Sequence, residues 1–273
     1  MQGQSEYTAF KYRRFGPVLA QSLLISKAQS VAGFPYYHVD LNAGSGMNTK
    51  ILPSVPGSPL NFLGAVDRHQ RRNFYAFFVD NDPACIRELI KRPEIEAYAG
   101  RVHIFQQDNG DVLPVVAQFI ADKERNPHYA MGSILIDPNG YHKGVPWKSL
   151  RHFCHAHPRF DLFFNLNTRL FKLERSHIVA GEPGWATKRV QPISEFPTWF
   201  TRPNWMVTDE CSMGGMRWVQ LVGRTMQTQS AAYSSLAQRV LRDRARAQSY
   251  SRQAAVQGAA SVACERPLFI RDV

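Results

Sequence analysis

Four apolar runs, each followed closely by an aspartate, limit most strongly what this chain can fold into. The first, Tyr36-Tyr37-His38-Val39, runs into Asp40-Leu41-Asn42-Ala43-Gly44-Ser45-Gly46. The second, 75–79, leads into Asp80-Asn81-Asp82, and the third, 102–105, is followed by Asp108-Asn109. The fourth, 133–136, leads into Asp137-Pro138-Asn139-Gly140-Tyr141. Short runs that are nearly all apolar suit strands covered on both faces, as in a parallel sheet flanked by helices. In a doubly wound sheet the carboxyl ends of such strands share one edge, so the four acids are expected along a common rim. Gly44 and Gly46 are expected to let the backbone approach a ligand that any Cβ would block.

The segments between these runs read as helices. Residues 10–32 suit an opening helix, with Phe15, Leu19, Leu23 and Leu24 at helical spacing. A short helix is expected near 58–70, after a proline- and glycine-rich loop at 52–59. Pro83 stands where a helix running to about 91 would begin. Asn109 is placed to cap a helix over 111–124. Residues 146–156 are helical in pattern, and 161–165 form a fifth strand. Residues 180–204 are irregular and rich in proline, glycine and aromatics, a natural place for a substrate element. Strands 205–208 and 216–223 follow, joined by a link at 212–215 short enough for an antiparallel hairpin. The expected fold is α/β, a doubly wound, mostly parallel, seven-stranded Rossmann-like sheet with a C-terminal antiparallel hairpin. Residues 1–227 make this domain, and 228–273 are a basic helical extension.

Charge narrows the partners. The chain has 273 residues, a formal net charge of +11 and a pI near 9.7. That excess favours a polyanion, above all nucleic acid. Four cysteines, at 85, 154, 211 and 264, make no CxxC pair and no tight framework, which fits a reducing cytoplasm. The first six residues lack the apolar core of a leader, and no apolar run nears the ~20 residues that span a bilayer, so no membrane partner is expected.

The order of strand ends carries the chemistry. A backbone turn after the first strand can receive the amino-acid or phosphate end of a nucleoside-bearing cofactor. An acid after the second can accept from ribose hydroxyls, and one after the third from an adenine amine. A nicotinamide-binding turn is usually written GxGxxG, and Gly44-Ser45-Gly46-Met47-Asn48-Thr49 lacks the third glycine.

Over residues 36–141 this pattern resembles class I S-adenosylmethionine-dependent methyltransferases. Within them it is most similar to the three-Cys-motif partner proteins, through the opening helix, DLNAGSG, VDNDP and the DPNG turn. The resemblance implies S-adenosylmethionine as cofactor. It implies that Asp40, Asn42, Gly44 and Gly46 line its methionine side. Asp80 would bind the ribose with Asn81 beside the adenine, Asp108 would meet the adenine amine, and Asn109 would belong to the same cofactor site. It further implies a reacting centre at Asp137, Pro138, Asn139 and Tyr141, similar to the Asp-Pro-Pro-aromatic turn of enzymes that methylate exocyclic base amines. Here Asn139 replaces the second proline, Gly140 holds the aromatic position and Tyr141 comes one residue late. Methyl transfer to a nucleic-acid base nitrogen, adenine N6 first, is the expected activity. A non-catalytic module of the same fold, holding nucleic acid or a partner protein, is the alternative. No Pro-Cys pair follows the fourth strand, which argues against thiolate attack on cytosine C5.

Further cations suit a phosphate backbone. Arg169 and Lys172 follow Asn165 and Asn167 past the fifth strand. Arg239, Arg242 and Arg246 fall on one face of a helix expected over 228–260, with Tyr233, Leu236 and Val240 on another. Trp185, Trp199 and Trp205 are either core residues or base-stacking platforms, core being the commoner role. His152, Cys154, His155 and His157 cluster in sequence but lack the second ligand pair that zinc needs, so no metal is expected.

Overall fold

A computed structural model of the protein describes residues 7–29, 34–49, 53–138, 144–167, 196–202, 204–213 and 216–224. In chain order the elements are α1 (Tyr7–Gln29), β1 (Tyr36–Asp40), β2 (Met47–Asn48), β3 (Val55–Pro56), α2 (Ser58–Arg68), β4 (Phe74–Asp80), α3 (Pro83–Ile90) and α4 (Pro93–Glu96). Then come β5 (Val102–Gln106), α5 (Asn109–Lys123), a 3-10 turn (Pro127–Tyr129), β6 (Met131–Ile136), α6 (Trp147–Ala156) and β7 (Phe160–Asn167). A one-turn helix α7 (Phe196–Trp199) and strands β8 (Asn204–Met213) and β9 (Met216–Arg224) complete the described chain. The helix expected at 228–260 lies outside the described residues, as does most of 180–204.

Seven strands form one sheet in the order β5-β4-β1-β6-β7-β9-β8. β5, β4, β1, β6 and β7 are mutually parallel, and β9 runs against both its neighbours. The chain builds outward from β1 to β4 and β5, then returns to β6 on the other side. β1 and β6 therefore flank the switch point, where doubly wound sheets bind ligands. The expected fold is the observed one.

Alternation along the strands explains the two layers. On β4, Phe74, Ala76 and Phe78 face a core made with α1 and α2. Phe77 and Val79 face the opposite core, with α5, α6 and α7. Pro83 and Asp82 together start α3, the Asp82 side chain accepting from the Ala84 N–H.

Several boundaries move. α1 buries Phe15, Leu19 and Leu23 as expected, but Leu24 is 37% exposed. Consecutive residues stand about 100° apart on a helix, which turns Leu24 out of the stripe. The cap of α5 is Asp108, not Asn109, because its carboxylate accepts from the Gly110 N–H and the helix begins two residues earlier. The final hairpin is tighter than expected, with Met213 paired to Met216. The β2–β3 pair and α4 have no counterpart in the sequence reading; each is four residues or fewer, too short to show a period.

Candidate functional site

The four central strand ends are tied to one another by side chains from the rim. The Gly44 N–H donates to Asp80 Oδ2 at 2.8 Å, joining the β1 turn to β4. Asp80 Oδ1 accepts from the Asp82 N–H at 2.8 Å, so the same carboxylate folds the start of α3. Asn42 Oδ1 accepts from the Asp137 N–H at 3.1 Å, joining the β1 turn to β6. Asn165 Nδ2 donates to Asp137 Oδ1 at 2.8 Å and brings in β7.

Asp40 sits at the centre. It is fully buried, and the Asn42 N–H donates to its Oδ1 at 3.1 Å. Its Oδ2 closes no hydrogen bond. The Ser58 hydroxyl beside it, on the first residue of α2, eases the charge without reaching full bonding geometry. Burial pushes the carboxyl up to about 7, and the nearby Asp137 and Asp80 add to the rise. Two of the other three acids thus bear on Asp40.

Asp108 stands apart. It is exposed, its Oδ1 is used to cap α5, and none of the bonds among the other three acids includes it. Asn109 donates to the Gly144 carbonyl at 3.4 Å, and Asn81 is exposed beside Asp80. Pro138 is buried against the rim.

The two glycines have different tasks. Gly44 has φ +62°, and a Cβ there would meet nothing within 4 Å. It leaves open space over the turn. Gly46 has φ +77°, but its Cβ would lie 2.9 Å from Leu89 Cδ1. Its carbonyl also accepts from the Gly57 N–H at 2.6 Å. Gly46 therefore packs the turn against the protein as well.

Asn139, Tyr141, Arg169, Lys172, Arg239, Arg242, Arg246 and Trp185 lie outside the described residues. Trp199 and Trp205 pack against the core beside Phe196 and Phe200. His157 Nδ1 faces the Pro127 carbonyl at 3.2 Å and Cys154 is buried. Among the described residues no three metal-binding side chains come together, and no helix is long and apolar enough to cross a membrane. Among the described residues, Ser58 is a rim residue that the sequence does not single out; its signal is its place at the start of a helix.

The sheet order and this rim define a Rossmann-like α/β fold with a candidate site at its switch point. No family model matches the chain, and no curated protein does. Among solved structures, protein LPL1258 from Legionella pneumophila is 12% identical, with 88% of this chain and 92% of that one covered and a TM-score of 0.49. The METTL16 methyltransferase domain is 15% identical, covering 81% and 68%, at 0.40. The N-terminal domain of EvdMO1, with SAH bound, is 12% identical, covering 77% and 81%, at 0.41.

Proposed function

We propose that the protein is an S-adenosylmethionine-dependent methyltransferase that acts on a nucleic acid, at an exocyclic base nitrogen with adenine N6 foremost. The observation that supports it best is the linked rim: Asp40, Asp80 and Asp137 within electrostatic reach around a turn left open at Gly44. The residues fit such a cofactor. Asp80 uses one lone pair of each oxygen on main-chain N–H groups, and the second pair of each can accept a ribose hydroxyl. Asp40 Oδ2 is a buried acceptor without a partner, suited to a cationic ligand. When bound, the cofactor supplies a methyl group on a positive sulfur.

Asp137 is the residue we assign to the reaction. Asn42 holds its main chain and Asn165 holds Oδ1, so the carboxylate is fixed before substrate arrives. It would accept the hydrogen of the target amine and keep the nitrogen lone pair directed outward. As the nitrogen gains the methyl group the methyl–sulfur bond would break to leave a neutral thioether, and the proton then shed by the nitrogen would pass to solvent. A base in a duplex would first leave its stack. The narrower likeness to the three-Cys-motif partner proteins rests on the sequence motifs alone.

The test is tritium transfer from labelled cofactor to DNA, RNA and protein, each measured separately. Asp137→Ala should lower transfer to nucleic acid by roughly 100-fold or more. Calorimetric affinity for the cofactor should stay within about threefold, since the bonds at Asp80 are untouched. Unchanged transfer in that variant would remove Asp137 from the reaction. One observation favours the non-catalytic alternative: both oxygens of Asp80 already serve the protein's own backbone. No measurable cofactor binding would decide for that reading.

A further inference from the structure

A second site lies at the other end of the sheet. A cavity of about 510 Å³ opens where α2 ends and where the chain enters β4 and β5. Asp67, Gln70, Arg71, Arg72, Tyr98 and Arg101 line it. From Phe74 to Asp80 the strand β4 is seven residues, so this cavity and the acidic rim are roughly 20 Å apart.

Its charge is lopsided. Arg71 is 7% exposed and donates to the Phe34 carbonyl at 2.6 Å, so it is built into the wall. Arg72 and Arg101 are exposed at the mouth, and both bear electrostatically on Tyr98. Neither forms an ion pair with another described residue. Asp67 is the single carboxylate in the lining, and its Oδ1 accepts from the Tyr98 hydroxyl. Three arginines thus line the cleft with one carboxylate, the Arg101 guanidinium lying 5.8 Å over the Phe74 ring.

The backbone adds an independent sign. Gln70 has φ +50°, the left-handed region. It stands just after α2, where the Arg71 N–H donates to the Val66 carbonyl at 2.9 Å and the Gln70 N–H to the Asp67 carbonyl at 3.0 Å. This is a Schellman ending, and glycine is the residue that closes one without strain. A long polar side chain in that place is unfavourable for the turn itself. Strain of this kind persists only where the surrounding structure holds it, and it clusters at ligand clamps and active sites.

We propose that this cleft binds a nucleoside phosphate, Arg72 and Arg101 taking the phosphate and Gln70 and Tyr98 flanking the nucleoside. Forked guanidinium donors match phosphate oxygens in pairs. The volume is in the range of small-ligand pockets and far above the roughly 30 Å³ that one water occupies. The nucleoside phosphate is either a free nucleotide or one unit of a nucleic-acid strand. The site does not depend on methyl transfer and stands or falls separately from it.

The experiment uses the full chain and Arg72→Glu/Arg101→Glu, with Arg87→Glu/Arg125→Glu as a control of equal charge change at exposed positions away from the cleft. Calorimetry with AMP and ATP tests the free nucleotide. Fluorescence anisotropy with labelled single-stranded DNA and RNA, at several salt concentrations, tests the strand. The cleft variant should lose at least about tenfold in affinity for one of the two, while the control loses less than about threefold. If the strand is the source, its salt slope should fall by roughly 1.4, for two lost phosphate contacts. Arg72→Lys/Arg101→Lys should keep most of the binding. Thermal melting confirms that each variant is folded, and cofactor calorimetry on the cleft variant reads the rim independently. Equal losses in cleft and control variants, or no loss in either, would overturn the proposal. So would polyglutamate displacing the ligand as well as unlabelled nucleotide does.

Discussion

Asp40 shows most clearly what a single residue does here. Its carboxyl is raised from 3.8 to about 7, chiefly by burial. A carboxyl raised on folding favours the fold in its protonated form. That contribution is full below about pH 4 and is lost as pH rises through 7. Asp40→Asn should therefore stabilise the ligand-free protein at pH 8, by up to about 4 kcal/mol, and have little effect near pH 4. Denaturation midpoints of both proteins across that range check it, and a gap that widens toward acid would refute it. His38 acts in the other direction: burial lowers it from 6.5 to about 3, so its contribution is full above 6.5 and fades toward acid. The difference between the two proteins removes His38 from the comparison. A cationic cofactor should reverse the preference at Asp40. Its affinity should climb as pH rises toward 7 and level off above, and a neutral thioether analogue should show less of this in calorimetry. The acids of the rim are visible in sequence because each follows an apolar run. The different tasks of Gly44 and Gly46 are not, because Leu89 and Gly57 reach Gly46 from other parts of the chain.

Elements are held by contacts their own sequences do not announce. α1 is fastened to the sheet through Arg224 of β9, which donates to Gln21 Oε1 and to Ser22 Oγ, each at 2.8 Å. The same guanidinium lies 3.4 Å from Asp161 of β7, which also accepts from Ser22 Oγ at 2.6 Å. Arg224→Leu would leave the largely buried Asp161 carboxylate without its countercharge and take a donor from Gln21 and Ser22. A loss of roughly 3 kcal/mol is expected, read as a lowered denaturation midpoint. A loss below about 1 kcal/mol would mean that α1 is held by its apolar face alone. The end of α2 gives the opposite case. Gln70→Gly should stabilise the protein by about 1 kcal/mol, because glycine enters the left-handed region freely. Strand positions were readable to within two or three residues over β4, β5 and β6, where apolar runs are unbroken. β8 was not, since its register shift between Val207 and Asp209 breaks any alternation.

At the scale of the molecule, the rim and the cleft lie at opposite ends of β4, so ligands at the two should bind without excluding each other. Saturating S-adenosylmethionine should raise stability by about 2.7 kcal/mol at 100 times its Kd, measurable as a higher melting temperature. The same gain should appear in Arg72→Glu/Arg101→Glu, whose cleft is changed and whose rim is not. A cofactor shift that vanishes in that variant would show that the two ends are coupled. The sequence by itself determined the class of fold. Buried parallel strands must be apolar throughout and helices amphipathic, and those local demands are written in each segment. The order of acids at strand ends followed from the same pattern. Only the tertiary structure decided which acids meet. Asp40, Asp80 and Asp137 do because β4, β1 and β6 are neighbours in the sheet. Asp108, two residues past the edge strand β5, is taken up in capping the helix that follows it. The cleft at the amino ends likewise exists only once Arg72 and Arg101 are brought together by the pairing of β4 with β5. Local pattern fixes what each segment becomes, whereas proximity between distant side chains depends on the packed whole.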